Sequence, residues 1–168
     1  MKLSRVERWI LSNQFHILEA LYPDDADHYA KVHEALESGY ELHYEWFSEH
    51  IYNDRDIMTP EENREVIEIL SMFDSLKRAY GSLSDKTGIE ESRVKFCGFD
   101  GNNETKQMGY ARYFCTLKGG RFTDLDRGDN FNSHGPTLAR YRRMLSEWKK
   151  SVDQNNLSKD DIIRIISL

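Results

Sequence analysis

Apolar residues recur at three- and four-residue spacing along most of this chain, which is the pattern of amphipathic helices. In the first segment two apolar series run side by side. The first consists of Leu3, Val6, Ile10, Ile17 and Leu21, and the second of Leu11, Phe15, Leu18 and Tyr22. Ser4 with Glu7 three residues later is a capping-box signature. The segment therefore predicts a helix over residues 4–22, which Pro23 ends.

Two shorter helices are predicted next. Asp24 or Asp25 can cap a helix that ends at Gly39, since glycine readily takes the left-handed conformation found after many helix ends. The apolar positions that begin at Tyr40 continue at spacings of four, three and four. This spacing predicts a further helix that runs to about residue 51.

The clearest start signal in the chain precedes a long helix. Thr59 can cap it, Pro60 suits the first helical position, and Glu62 is placed to bond back to the cap. The apolar positions that follow line one side of this helix. They are Val66, Ile69, Leu70, Phe73, Leu76, Tyr80 and Leu83. We predict a long central helix over about residues 60–83, packed by several others.

The second half of the chain is less regular. Asn102 or Asn103 can cap a helix that ends at Gly119 and Gly120. The segment over residues 121–136 is polar and rich in Gly, Asp and Asn. It is too long for a tight connection, so it predicts a loop that is a candidate for function.

Two helices are predicted after this loop. An apolar series predicts a helix from Thr137, and Ser158 can cap a last helix that is very apolar and must dock on the body or on a second subunit. The series consists of Leu138, Tyr141, Leu145, Trp148 and Val152. No stretch sustains the alternation typical of a β-strand. The fold prediction is all-α, a single compact bundle of about seven helices in one domain over residues 1–168.

Charge is unevenly distributed and bears on the choice of partner. The formal net charge is −6, but the first 92 residues hold 9 Lys+Arg against 20 Asp+Glu, whereas residues 93–150 hold 12 against 6. Such blocks either bind a polyanion through the basic part or pair with each other in the fold or between subunits. Because the whole chain is acidic, nucleic-acid binding is not favoured and we expect pairing.

The composition also suggests a location. The apolar runs are shorter than the roughly 18 residues that a membrane helix needs, and Met1 leads straight into a charged helix. We therefore expect a cytoplasmic protein with no membrane partner. Cys97 and Cys115 lack the C-x-x-C spacing of a zinc site and are expected to be reduced, packed thiols.

No metal or cofactor site is predicted. Four histidines fall between residues 28 and 50, namely His28, His33, His43 and His50. Their spacings of five, ten and seven do not place two imidazoles together on one helix face. Ser12, His16 and Glu19 share the polar face of the first helix and superficially resemble a catalytic triad. A regular helix, however, offers no oxyanion hole and does not strain the serine.

Five short strings resemble those of one protein family, in the same order. They are Ser4–Gln14 (SRVERWILSNQ), Phe96–Asp100 (FCGFD), Gly109–Phe114 (GYARYF), Phe131–Pro136 (FNSHGP) and Tyr141–Trp148 (YRRMLSEW). On these strings the chain resembles the YfbU-like family of bacterial proteins over essentially its whole length. The resemblance implies a helical fold and a bacterial host.

The first functional hypothesis is a non-enzymatic, homo-oligomeric cytoplasmic protein that acts by protein interaction in bacterial regulation or stress physiology. It depends on the family resemblance and on the lack of a catalytic arrangement in the sequence. The apolar last helix and the two-sided charge suit a self-complementary interface, and an additional protein partner is expected.

The alternative is an enzyme or binder that acts on RNA or a nucleotide. Arg127 and His134 have the Arg-x6-His spacing that resembles the motif of HEPN-type ribonucleases, although nearby glycines argue for a loop and not for the helix of that motif. Arginine can clamp a phosphate and histidine can act as acid or base. Four polar residues complete this candidate set, which we call the loop site: Asp100, Arg112, Arg121 and Asn132.

Overall fold

The computed structural model describes residues 1–117, 121–125, 128 and 130–167. These residues form seven α-helices and no β-strand, so the all-α prediction is confirmed. They group into two compact units, Met1–Ile57 and Met58–Leu168, which are described separately below. None of the helices in this part of the chain combines the length and the apolar content that crossing a bilayer requires. That one domain spans residues 1–168 stays a prediction.

The first unit is built on two helices that lie against each other. Its helices are α1 (Arg5–Leu21), α2 (Ala26–Ser38) and the single turn α3 (Tyr44–Phe47), with 3-10 turns at Pro23–Asp25 and Glu41–His43. A small core of Val32, Leu36 and Tyr44 is buried between them. The side chains of Leu3, Leu11, Phe15 and Phe47 pack around this core and are partly buried.

Helix α1 begins as its capping box predicts. The Ser4 backbone N–H donates to Glu7 Oε2 over 2.7 Å, and the Glu7 N–H donates to Ser4 Oγ over 3.3 Å. Only one of its two apolar series turns inward, through Leu11 and Phe15. Apart from Leu3, which precedes the helix and packs on the core, the other series is exposed on the far side of the helix, although both have the same spacing. Its exposed fractions are 61% for Val6, 50% for Ile10, 57% for Ile17 and 65% for Leu21.

The prediction of a helix from Tyr40 to about residue 51 is wrong. Helical structure stops at Phe47, after a 3-10 turn and one α-helical turn. Tyr44 is 1% exposed and anchors this segment, whereas Tyr40 is 51% and Ile51 64% exposed. The apolar spacing continues, but only Tyr44 and Phe47 have a core to pack against, and short helices depend on such packing.

The second unit contains four helices: α4 (Pro60–Ser82), α5 (Thr105–Thr116), α6 (Leu138–Trp148) and α7 (Lys159–Ile166). Helix α4 is the predicted long helix, and its Thr59–Glu62 capping box is complete. It supplies most of the fully buried residues of this core, among them Val66, Ile69, Leu70, Met72, Phe73 and Leu76, all 0% exposed.

Helix α5 starts later than predicted. Its N-cap is Glu104, and neither Asn102 nor Asn103 takes that position. The Asp100 side chain accepts from the Asn102 N–H and from the Asn103 side-chain amide, which holds both asparagines in a preceding turn. The helix ends at Thr116, and the predicted glycine stop at 119 and 120 lies outside the described residues.

The last two helices follow the predicted starts. Tyr141 and Trp148 of α6 are buried, but Val152 is fully exposed and was wrongly assigned to this apolar series, because the helix ends at Trp148. Helix α7 has a complete capping box from Ser158. Its buried isoleucines are Ile162, Ile165 and Ile166, which join the core of the second unit. The apolar last helix is therefore docked on its own unit.

Acidic and basic side chains pair across the second unit. Arg142 of α6 binds Glu65 of α4 through two bonds of 2.8 Å, and Lys149 binds Glu68 over 2.6 Å. Lys159 also pairs with Asp85 at 2.7 Å. These pairs are largely exposed, so each contributes little to stability. They show that part of the predicted charge asymmetry is satisfied within the fold.

Candidate functional site

The loop that carries most of the loop site lies against the segment before α5. The Phe99 N–H donates to the Phe131 carbonyl over 2.9 Å, and the Ser133 N–H donates to the Phe99 carbonyl over 3.0 Å. These bonds form one isolated parallel bridge between Phe99 and Asn132. Two of the strings that carried the family resemblance, Phe96–Asp100 and Phe131–Pro136, therefore meet in space.

Gly98 makes this close approach possible. Its φ is +89°, and a Cβ atom at this position would lie 2.2 Å from the Phe131 carbonyl oxygen. No other residue type fits both conditions. Beside it, the Tyr141 hydroxyl donates to the Gly98 carbonyl over 3.1 Å and accepts from the Cys97 N–H over 3.2 Å. Burial raises the pKa of Tyr141 to about 12, so the hydroxyl stays a donor.

Asn132 ties the two segments together through its side chain. Its Oδ1 atom accepts from the Gly101 N–H over 3.1 Å and from the His134 N–H over 2.9 Å. Asp100 is 2% exposed, and the hydrogen bonds that it accepts from the Asn102 N–H and the Asn103 side chain lower its pKa, with a smaller contribution from His134. Asp100, Asn132 and His134 thus lie in one neighbourhood, as the hypothesis of a loop site requires.

The arginines of the loop site are less well gathered. Arg112 Nη1 donates to Asn130 Oδ1 over 3.3 Å, so it reaches the loop at a different residue. The Arg121 guanidinium carbon lies 4.7 Å from the centre of the Phe122 ring. Arg127 lies outside the described residues. Among the described residues, no hydrogen bond or ion pair is seen between Arg112 or Arg121 and either Asp100 or His134.

His134 does not lie on a helix. It is an exposed residue in a bend with φ of +56°, three residues before the buried Thr137. The HEPN-type motif needs its histidine on a helix, so this half of the Arg-x6-His hypothesis has no structural support. In this neighbourhood Asp100 and Asn132 accept hydrogen bonds from backbone N–H groups of the same loops, which is a structural role. We call this hydrogen-bonded region, in which the segment before α5 lies against the loop before α6, the clasp.

The sequence reasoning missed Glu104, which is the centre of this clasp. Glu104 is 7% exposed. Its Oε1 accepts from the N–H groups of Thr137 (2.9 Å) and Leu138 (2.7 Å) at the start of α6. Its Oε2 accepts from the Asp100 N–H and the Thr137 hydroxyl, both over 3.0 Å. A carboxylate at a helix N-terminus is favourable, but a cap supplied from 33 residues away leaves no local signal.

A second candidate surface is the exposed side of α1. Five positions at spacings of four, three, four and three define what we call the α1 seam: Val6, Ile10, Asn13, Ile17 and Ala20, all of them exposed. Trp9 (68% exposed) and Leu21 (65%) flank the seam. The same alternation of four and three carries the contact side of a coiled-coil helix.

Next to the seam lies a groove of about 660 Å³ between α1 and α2. Its wall includes Arg5, Val6 and Trp9 from α1, with Leu36 and Glu37 from α2. A tryptophan beside a groove with polar and charged edges is typical of a surface that binds another protein. Asn13 and Gln14 are also exposed on this helix.

The family is established by comparison. A family model described as the YfbU domain matches residues 1–167 of the 168-residue chain. The chain therefore belongs to the YfbU family, as the sequence strings indicated. The match covers both compact units, including the α1 seam and the clasp around Glu104.

Proposed function

We propose that this protein is a non-enzymatic interaction protein of the bacterial cytoplasm that works as a homo-oligomer, with the α1 seam as the contact between copies. The observation that carries the proposal is the exposed apolar side of α1. A large apolar surface on a protein of this size is usually an interaction site. The role in regulation or stress physiology, through a further protein partner, is the part of the proposal that comes from the family resemblance alone.

The size of the surface suits a dimer. Five large apolar side chains of α1 are each 50–68% exposed: Val6, Trp9, Ile10, Ile17 and Leu21. Together they expose on the order of 500 Å², comparable to the largest apolar patches that monomers carry. Two copies joined through this side would bury about 1,000 Å² in total, near the lower limit for a specific interface.

The charges around the seam favour an antiparallel pairing. The N-terminal end of α1 carries the exposed residues Lys2 and Arg5, while exposed Asp24, Asp25 and Asp27 follow its C-terminal end. A two-fold axis through the middle of the helix would place the basic end of each copy against the acidic end of the other. Opposed helix dipoles add to this preference. Antiparallel α1 helices related by a two-fold axis are therefore the expected arrangement.

The polar residue in the seam fits the same arrangement. Asn13 is the central position of the seam, with Val6 and Ile10 on one side and Ile17 and Ala20 on the other. Near a two-fold axis each Asn13 would meet its own counterpart, where two amides can bond to each other. A buried asparagine pair costs stability but fixes register and the number of chains.

The test is the mass of the full chain in solution. Light scattering after size-exclusion chromatography should give the wild type a mass of at least twice 19.8 kDa. The Ile10→Lys/Ile17→Lys double variant should give 19.8 kDa, because both substitutions put charge in the seam. The control is Val152→Lys, which changes a fully exposed valine outside the seam and should leave the mass unchanged. A monomeric wild type at high concentration would refute the proposal.

A further inference from the structure

Two histidines from neighbouring helices meet beside α1. His16 of α1 and His33 of α2 have ring centres 5.2 Å apart. Glu19, one turn along α1, places Oε2 3.6 Å from His16 Nδ1. One ligand atom from each of these three residues lies within 4.8 Å of the others. All three belong to the first unit, and none of them is part of the loop site or of the α1 seam.

These distances are close to those of a transition-metal site. A tetrahedral zinc ion with ligands at about 2.0–2.2 Å holds its ligand atoms about 3.4 Å apart. The 3.6 Å between His16 and Glu19 is near that spacing, and the remaining separations of up to 4.8 Å need only small side-chain rotations. The ligands come from the body of two helices that pack together, so their backbone positions are fixed by the core of the unit.

The surroundings of the cluster also suit a metal. Glu37 Oε1 lies 3.4 Å from His33 Nε2 and accepts from the hydroxyl of the buried Ser12 over 3.5 Å. Carboxylates next to ligating imidazoles orient the ring and raise its basicity. His33 and Glu19 are half-buried while His16 is exposed, which leaves an open side for a water ligand or a fourth group.

We propose that His16, Glu19 and His33 bind one divalent transition-metal ion, for which Zn²⁺ is the best match. Two imidazoles and one carboxylate are a ligand set that zinc accepts with a fourth position open. Imidazole ligands disfavour Ca²⁺ and Mg²⁺, which take oxygen ligands. A bound ion would join α1 to α2 and thereby stabilise the first unit.

The test is a titration of the full chain, stripped of metal with a chelator, with Zn²⁺ in a calorimeter. We expect one equivalent to bind. His16→Ala and His33→Ala should each weaken the affinity by at least tenfold. The matched controls are His28→Ala and His50→Ala, which remove exposed histidines of the same unit outside the cluster and should bind as the wild type does.

A second variant and a second probe keep the result interpretable. Glu19→Gln keeps the size of the side chain and should also weaken Zn²⁺ binding. It therefore tests the site even if an alanine variant fails to fold. Co²⁺ should give the visible spectrum of nitrogen and oxygen ligands without thiolate bands, which excludes binding at Cys97. The melting temperature should rise with Zn²⁺ in the wild type and not in the His33→Ala variant.

Two results would overturn the proposal. One is that the wild type takes up no Zn²⁺, and the other is that the cluster variants bind as tightly as the His28→Ala and His50→Ala controls. The proposal goes beyond the function proposed above and is separable from it. The Ile10→Lys/Ile17→Lys variant leaves all three ligands in place and should bind Zn²⁺ as a monomer.

Discussion

Removal of the Glu104 carboxylate tests whether the hydrogen bonds of the clasp stabilise the fold at the start of α6. In Glu104→Ala, three donors lose their acceptor, namely the N–H groups of Asp100, Thr137 and Leu138. The Thr137 hydroxyl keeps the Gly98 carbonyl as an acceptor at 2.9 Å. Each donor left unsatisfied in a buried place costs about 1–3 kcal/mol, and water can reach the half-buried Leu138 end of the clasp. We therefore expect a loss of roughly 3–5 kcal/mol in the free energy of unfolding.

Glu104→Gln should be less stable than the wild type but more stable than Glu104→Ala, for a geometric reason. The two carboxylate oxygens face different donors, Oε1 toward Leu138 and Oε2 toward Asp100. A glutamine has one oxygen, so its amide nitrogen must point at one of these N–H groups whichever way it turns. The expected loss is roughly 1–3 kcal/mol. Lys106→Ala, an exposed change in the first turn of α5, is the control and should be within about 0.5 kcal/mol of the wild type.

Urea unfolding followed by tryptophan fluorescence measures these losses. Trp148 is the only tryptophan of the second unit and is 6% exposed, whereas Trp9 and Trp46 of the first unit are 68% and 67% exposed. A Trp9→Phe/Trp46→Phe background therefore reports on the unit that contains Glu104. If Glu104→Ala and Glu104→Gln unfold at the same urea concentration as Lys106→Ala, the clasp does not hold the start of α6 and the reasoning is refuted.

Two further predictions concern backbone and pH. Gly98→Ala should lower the free energy of urea unfolding by about 3 kcal/mol or more, because φ at this position is +89° and the added Cβ would overlap the Phe131 carbonyl. The control is Gly81→Ala in α4, whose Cβ would meet nothing within 4 Å and which should raise that free energy by about 0.5–1 kcal/mol. Equal effects would contradict the close approach. Hydrogen bonds from the Ser158 hydroxyl, and then from Arg164, lower the pKa of Asp161 from 3.8 to about 2. The ionised carboxylate therefore stabilises the fold fully above pH 3.8, and this stabilisation is lost as the pH falls through 2. Asp161→Asn should cost about 1–2 kcal/mol in the free energy of urea unfolding at neutral pH, and about 0.5 kcal/mol or less near pH 2, where half of the carboxyl groups are protonated. An undiminished difference at pH 2 would refute this.

Local signals predicted the starts of the helices well. Ser4, Thr59 and Ser158 each form the capping box that their sequence indicated, because both partners of such a box lie within four residues. The all-α fold followed from apolar spacing for the same reason. The predicted start of α5 was wrong because its position depends on Glu104, whose partners at the start of α6 are 33 and 34 residues away.

The candidate surfaces were less accessible to sequence reasoning. Spacing showed two apolar series on α1 but could not say which of them faces the core, since that depends on where α2 packs. Spacing also left open whether the last helix docks on the body or on a second subunit, and the burial of Ile162, Ile165 and Ile166 in their own unit shows the first of these. The meeting of His16 with His33 was invisible because the two residues lie on different helices, and spacing within one helix cannot show it.

Disulfide cross-linking at the centre of the α1 seam tests the central claim most directly. An antiparallel two-fold contact brings residue 13 of one copy next to residue 13 of the other. Mild oxidation of Asn13→Cys should therefore yield a covalent dimer of twice 19.8 kDa in a denaturing gel. The unsubstituted chain, which has only Cys97 and Cys115, and Ser38→Cys at the exposed end of α2 should stay monomeric. Absence of the dimer from Asn13→Cys, or an equal yield from Ser38→Cys, would contradict an interface formed by the α1 seam.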